Sequence, residues 1–206
     1  MARLTISALL LAAAAQAVPE GFTIKDYVTT AQEPELYPTA LSADPNGGIY
    51  ISSDKNGSLG HIKGMGRILI ARDSKGDGKV DSMTEFVKVE SPRGGHFVGG
   101  VFYLIHPPFL TAYRDTKGTG HADEEITLVE GLGGGIEHPR GADHTTNACR
   151  MGIDGWLYIA VGDFGAGIEK DHDGAKGRDG KRVTLYGGGV LRIRPDGSEL
   201  ETYTEM

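Results

Sequence analysis

Residues 138–163 read HPRGADHTTNACRMGIDGWLYIAVGD, a stretch that gathers the groups proton chemistry needs: His138, Arg140, Asp143, His144, Asn147, Arg150 and Asp163. An imidazole can take a proton from a hydroxyl, a carboxylate can fix the tautomer of that imidazole, and a guanidinium or amide can hold a developing oxyanion. The glycine-rich run 168–182 adds Asp171, His172 and Asp173, but it reads first as a hydrated polar loop. His144 and Asn147 are the stronger candidates, because they stand directly before an apolar, strand-like run.

A second constellation is cation-like. RDSKGDGKVDSMTEFV (72–87) spaces Asp73, Asp77 and Asp81 as a calcium loop would, and a near copy, RDTKGTGHADEEITLV, follows at 114–129. Aligned, the two share Arg, Asp, Lys, two Gly, a second Asp and the final Val, seven of sixteen positions. Calcium loops of the helix–loop–helix kind need an acid at the third position and Glu at the twelfth. Lys75 and Thr84 stand there, and Thr119 replaces Asp77 in the copy. The repeat is therefore a turn between strands, and Asp73, Asp77 and Asp81 remain only a weak metal candidate.

The elements that position these residues follow from the repeat. Strand-like runs flank each copy, and a looser third copy ends in Arg194 and turns through Pro195-Asp196-Gly197. Ahead of each lies another strand pair, turning at Asp44–Gly48, Gly99-Gly100 and Asp154-Gly155, where turn-tolerant residues are required. Four short strands in about 40 residues is the period of a β-propeller blade. The expected fold is all-β, with about three four-stranded blades near 39–90, 91–131 and 140–206. Residues 1–17 precede them as a signal peptide and 18–35 as a lead-in.

Propellers close with roughly four to eight blades, so three form part of a larger ring. A sandwich of about a dozen strands is the competing architecture. In a blade, the loops after the second and fourth strands emerge on one face. From the glycine before each second strand to the repeat arginine, the spacing is 24 (Gly48 to Arg72), 14 (Gly100 to Arg114) and 39 residues (Gly155 to Arg194). Length variation on one face is how a rigid scaffold carries function.

Composition narrows the partners. Glycine is high, 32 of 206 residues, without a collagen period, and the formal net charge is −7. Cleaving residues 1–17 removes Arg3 and takes the charge to about −8, which disfavours nucleic acid and anionic membranes. The start MARLTISALLLAAAAQAVPE has one cation, a short apolar run and Ala15-Gln16-Ala17, the pattern of a cleaved secretory signal. Export to the periplasm or beyond is expected, with no membrane span after cleavage. Cys149 is alone, so no intrachain disulfide is possible. It reads as a small buried residue, and no CxxCH haem site exists.

The segment ADHTTNACRMGIDGWLYIAVGDFG, followed by YGGGVLRIRPDGSELETYT, resembles the glucose/sorbosone dehydrogenase-like propellers. The variant it is most similar to is the exported propeller proteins labelled membrane-bound dehydrogenases. The resemblance spans about residues 36–206 and is most specific at 143–165. It implies a six-bladed parent that binds pyrroloquinoline quinone (PQQ) with calcium, oxidises a sugar or alcohol and passes electrons to a periplasmic acceptor. It also implies a histidine base before the R-x-x-x-x-D-G-x-x-Y strand, which carries over to His144. That residue lies six positions before Arg150, whereas Thr146 holds the family's place four before it. Asp163 matches the family's G-D-x-G element. The quinone and calcium ligands of the family come from later blades and have no counterpart in these 206 residues. Two other functions stay open: a calcium-dependent lactonase-like hydrolase, to which Asn147 would give one ligand, and a non-catalytic propeller binding carbohydrate or protein.

Overall fold

The computed structural model describes residues 18–168 and 173–206. The expected signal peptide, with Asp171 and His172, lies outside the described residues. No α-helix occurs among the described residues, and none is long and apolar enough to cross a membrane.

Three four-stranded antiparallel meanders follow one another. The first is β1 (Pro38–Ala43), β2 (Gly48–Asp54), β3 (Gly66–Arg72) and β4 (Ser82–Lys88). The second is β5 (Gly95–Val98), β6 (Val101–His106), β7 (Phe109–Arg114) and β8 (Glu124–Glu130). The third begins with β9 (Ala148–Met151) and β10 (Leu157–Val161). A small hairpin then intervenes, β11 (Ala175–Gly177) and β12 (Arg182–Val183), before β13 (Gly189–Ile193) and β14 (Glu201–Glu205). The third sheet has the order β14-β13-β10-β9. This is an all-β partial propeller, and the described strands form no closed ring.

The first strands of the meanders stand side by side and are tied together. Thr39 donates to the carbonyl of Pro92 at 2.8 Å, the Phe97 amide donates to Ser42 Oγ at 3.1 Å, and the Gly94 amide donates to the Asn147 carbonyl at 2.7 Å. These inner strands are short, and hydrogen bonds between blades replace the length they lack.

Strand β6 shows why the blades stack. Its sequence VFYLIH is buried almost throughout. Phe102 and Leu104 point to the first blade, where Tyr50 stacks on Phe102 at 4.6 Å and on Phe97 at 5.0 Å, with Phe86 edge-on to Tyr50 at 5.1 Å. Val101, Tyr103 and Ile105 point the other way, into a core shared with Leu157, Ile159, Leu191 and Ile193 of the third blade. A strand covered on both faces loses the polar alternation of a half-exposed one. Each fully buried Leu, Ile or Phe here contributes roughly 1.5–3 kcal/mol. The remaining face of the first blade is not bare: Tyr27, Val28 and Leu36 of the lead-in pack on Ile51, Leu69 and Val80.

The hairpin departs from the sequence reading. Residues 168–182 read as a polar loop, yet β11 pairs with β8, Lys176 opposite Glu130 and Gly177 opposite Val129. The third blade thus sends a hairpin to the outer edge of the second, which becomes a six-stranded sheet in the order β12-β11-β8-β7-β6-β5. Two- and three-residue strands carry too little periodicity to be recognised. Their pairing exists because β8 offers a free edge.

The repeated segments are turns. Asp73 accepts the amides of Gly76 and Gly78, both at 2.7 Å, and of Asp77 at 3.3 Å. The Gly78 amide foremost, joined by the other amides of this turn, lowers its pKa against the opposing effect of desolvation. Asp81 accepts from the amide and hydroxyl of Ser74. The second copy repeats the device: Asp115 accepts from Thr119 and Gly120, and Asp123 from Thr116.

Candidate functional site

The loops after second and fourth strands emerge together, as blade topology requires. Those involved are 55–65, the Pro107-Pro108 turn, 131–147 and 162–168. They interlock: the Ala142 amide donates to the Ser58 carbonyl at 3.0 Å, and His61 Nδ1 lies 2.8 Å from the Ile136 carbonyl oxygen.

His144 sits where the chain enters β9. Its φ is +54°, left-handed and uncommon outside glycine, although histidine is among the residues enriched there. The turn is held by its surroundings. The Phe164 amide donates to the His144 carbonyl at 3.1 Å and the Gly162 amide to the Thr145 carbonyl at 3.2 Å. A Cβ on Gly162 would lie 2.4 Å from the His144 carbonyl oxygen, so only glycine lets the two segments approach. A strained backbone that is over-determined by its neighbours is a pointer to function.

The imidazole is oriented. Nδ1 is 2.7 Å from Asp163 Oδ1, and Nε2 is 3.6 Å from Asp143 Oδ2. With Nδ1–H donating to the Asp163 carboxylate, Nε2 keeps its lone pair and can act as a base. The His144 and Asp163 side chains are 51% and 71% exposed, so the ring is open to solvent and water screens the pair. Thr146, in the place four before Arg150, is fully buried, with no partner for Oγ1 among the described residues. His144 is thus the residue of this turn that faces solvent with an imidazole.

The other sequence candidates divide. His138 and Arg140 converge on Phe164 instead of His144: the His138 ring meets Phe164 edge-on at 5.2 Å, and the Arg140 guanidinium lies 4.7 Å above it. They brace the segment that carries Asp163. Asn147 sits beside the site through its backbone, its amide donating to the Ala160 carbonyl at 3.1 Å. Arg150 reaches sideways to the carbonyls of Gly95 and Cys149 and fastens β9 to β5, with no bond to His144. Asp173 leads into the β11 hairpin, its carbonyl 3.4 Å from Arg182. Cys149 is buried, and burial pushes its thiol up to about 12, which leaves it inert at neutral pH.

A cavity of about 610 Å³ lies elsewhere, and neither His144 nor Asp163 lines it. It opens beside the cis Pro107-Pro108 turn, with Glu90, His106 and the glycine-rich stretch 133–135 in its wall, and His138 at its border with the dyad. The sequence signal for it was Gly133-Gly134-Gly135 facing a Pro-Pro turn: a Cβ on Gly135 would lie 2.6 Å from the Pro107 carbonyl oxygen. Phe164, which organises His138 and Arg140, carried no signal beyond its place after Asp163.

Among the described residues, no group of three or more His, Cys, Asp or Glu side chains is arranged to hold a metal ion. Calcium takes six to eight oxygens, while the Asp73 and Asp115 carboxylates are occupied by backbone amides.

Comparison with known proteins gives a family and a fold. The family model described as a domain of unknown function (DUF7133) matches residues 11–206. No curated protein matches the chain. A structure from Thermus thermophilus, assigned as an oxidoreductase (glucose dehydrogenase), is similar at 16% identity and a TM-score of 0.50, over 79% of this chain and 45% of that one. A Trichoderma reesei protein of Carbohydrate-Active Enzymes Family AA12 is similar at 16% identity and a TM-score of 0.53, over 78% of this chain and 39% of the other. The chain therefore spans less than half the length of these structures, and at such identities the likeness concerns the fold.

Proposed function

Because the chain belongs to DUF7133, a family whose description assigns no activity, we propose a function from the site: a dehydrogenase-like propeller that oxidises a sugar or alcohol, with His144 as base. The observation that carries it is the 2.7 Å His144–Asp163 pair, with the His144 side chain half exposed in the turn that leads into an inner strand. Asp163 fixes the tautomer, Asp143 supports the imidazolium, and a substrate hydroxyl gives its proton to Nε2. The likeness in fold to structures described as a glucose dehydrogenase and a carbohydrate-active family supports a hydroxyl-bearing substrate. The signal-like N-terminus supports export and reaction outside the cytoplasm.

A hydride acceptor is a separate requirement. The resemblance implies PQQ with calcium, but the described residues do not fit that group. Beside His144 stand two carboxylates, Asp143 and Asp163, where a tricarboxylate quinone would need cations. The nearby arginines are committed: Arg140 to Phe164, Arg150 to backbone carbonyls, and Arg93 to the buried Asp54 at 3.0 Å. No step is assigned through the quinone on these residues.

The test is dye-linked oxidation of a sugar and alcohol panel by the full-length protein, with PQQ and calcium supplied. His144→Ala should lower kcat by 10²–10⁴-fold, the usual share of a positioned base, and Asp163→Asn by less. Undiminished turnover in His144→Ala removes the base assignment. One observation favours a second reading, a non-catalytic carbohydrate-binding or protein-binding propeller: the dyad is open to solvent and neither of its residues lines the 610 Å³ cavity. Saturable PQQ binding by the full-length protein in calorimetry would count against that reading.

A further inference from the structure

The cavity beside Pro107-Pro108 has chemistry of its own. At about 610 Å³ it falls within the range of small-molecule sites, and Val89, Phe109, Ile136 and the prolines make most of its wall apolar. Among its polar lining residues, Glu90, His106, Glu137 and His138, the one that stands out is Glu90. Oε1 accepts the Gly64 amide at 2.7 Å, while Oε2 is buried without a hydrogen-bond partner among the described residues. Lys63, beside the Gly64 amide that Glu90 accepts, is bound to Glu137 at 2.5 Å, with both side chains more than 70% exposed. His106 supplies no positive charge to balance Glu90. Its Nε2 is engaged with Thr111 Oγ1 at 2.8 Å, and desolvation holds its pKa at about 4, so it is neutral at physiological pH.

An apolar wall with an under-compensated carboxylate selects for charge. An anion entering it would meet Glu90 and Glu137 against the single ammonium of Lys63. A neutral ligand would leave Glu90 as it is. A cation would supply the missing countercharge where water is partly excluded and the interaction less screened. We propose that this cavity binds a small organic cation: an aromatic or branched apolar body bearing one protonated amine, the body against Pro108, Phe109 and Ile136 and the ammonium toward Glu90. The site is distinct from the His144–Asp163 dyad and does not depend on the activity proposed for it.

The probe is 2-phenylethylamine, protonated at pH 7.5, with 2-phenylethanol and phenylacetate as neutral and anionic counterparts of similar shape. Each is titrated into the full-length protein by calorimetry or ligand-observed NMR. The amine is expected to bind saturably, about tenfold tighter than the alcohol, and phenylacetate weakest. Glu90→Gln should weaken the amine about tenfold and change the alcohol less than twofold, the fold being checked by circular dichroism. Ile136→Trp, which fills the cavity from a half-buried position, should abolish binding of both. His144→Ala should change neither. Absence of saturable amine binding, equal affinity for amine and alcohol, or unchanged amine affinity in Glu90→Gln overturns the proposal. Should Glu90→Gln not fold, the comparison of the three probes on the unaltered protein and the Ile136→Trp variant decides it.

Discussion

His106 gives the chain a defined weakness to acid. It ends β6, its ring 5.6 Å from Phe109 and 6.2 Å from Tyr113, with Nε2 on Thr111 Oγ1. Desolvation lowers its pKa from 6.5 to about 4, so the folded protein resists protonating it. The sign follows from linkage. Between pH 6.5 and 4 the unfolded chain binds the proton and the folded one does not, so stability is complete above about pH 6.5 and falls as the pH drops toward 4. A shift from 6.5 to about 4 corresponds to roughly 3 kcal/mol when complete, at 1.36 kcal/mol per unit, and to roughly 2.5 kcal/mol by pH 4.5. Carboxylates held by backbone amides, such as Asp73, begin to lose stability at the acid end of this interval, as the pH approaches the ordinary carboxylate value from above, so the pH dependence of one protein cannot isolate the histidine. A difference between two proteins can. His106→Gln keeps an amide that can bond Thr111 and has no titratable proton. Urea unfolding of both proteins at pH 8 and pH 4.5 should show the parent losing about 2 kcal/mol more than the variant. Equal losses would refute the argument that burial keeps this imidazole neutral.

Arg93→Leu leaves the Asp54 carboxylate, 0% exposed, without its 3.0 Å partner, and should cost about 3–5 kcal/mol in urea unfolding. A cost below 1 kcal/mol would contradict that pairing, and Asp54→Leu combined with Arg93→Leu should recover most of the loss. Asp73→Ala removes the acceptor of three backbone amides and should lower the urea midpoint equally in calcium and in EDTA. A loss confined to calcium would restore an ion site to the repeat. Exported protein should begin near Val18 when its N-terminus is sequenced, and an intact Met1 would end the signal-peptide reading.

The blades were legible because their signals are local. Gly99-Gly100 at φ +59° and +79° and Gly155 at +77° mark turns that few other residues can make, and the paired Asp73 and Asp115 loops gave the period. The hairpin β11–β12 was not legible, since its partner strand β8 lies some 45 residues back in the chain and its own strands are two and three residues long. Glu90 was invisible for a similar reason. Its meaning lies in a missing partner and in walls brought from 106–109 and 133–139, none of which a linear reading can place.

For the dyad, residue types sufficed to nominate His144 and Asp163, but spacing alone pointed ambiguously. The family's histidine place falls on Thr146, and a reading by register alone would have dismissed the site. The backbone sets the two residues apart. Thr145 and Thr146 are both buried and β9 begins only at Ala148, so no strand alternation runs through this stretch. The left-handed twist at His144, with the close approach of Gly162, leaves the imidazole exposed beside Asp163. In the proposed site, that twist holds the base in place. Replacing Gly162 with valine would force the two segments apart, and should cost His144 its Asp163 contact while leaving the imidazole in the sequence. If activity is found, Gly162→Val should lower kcat nearly as far as Asp163→Asn does. A variant that retained full activity would mean that the twist positions nothing, and that His144 owes its orientation to Asp163 alone.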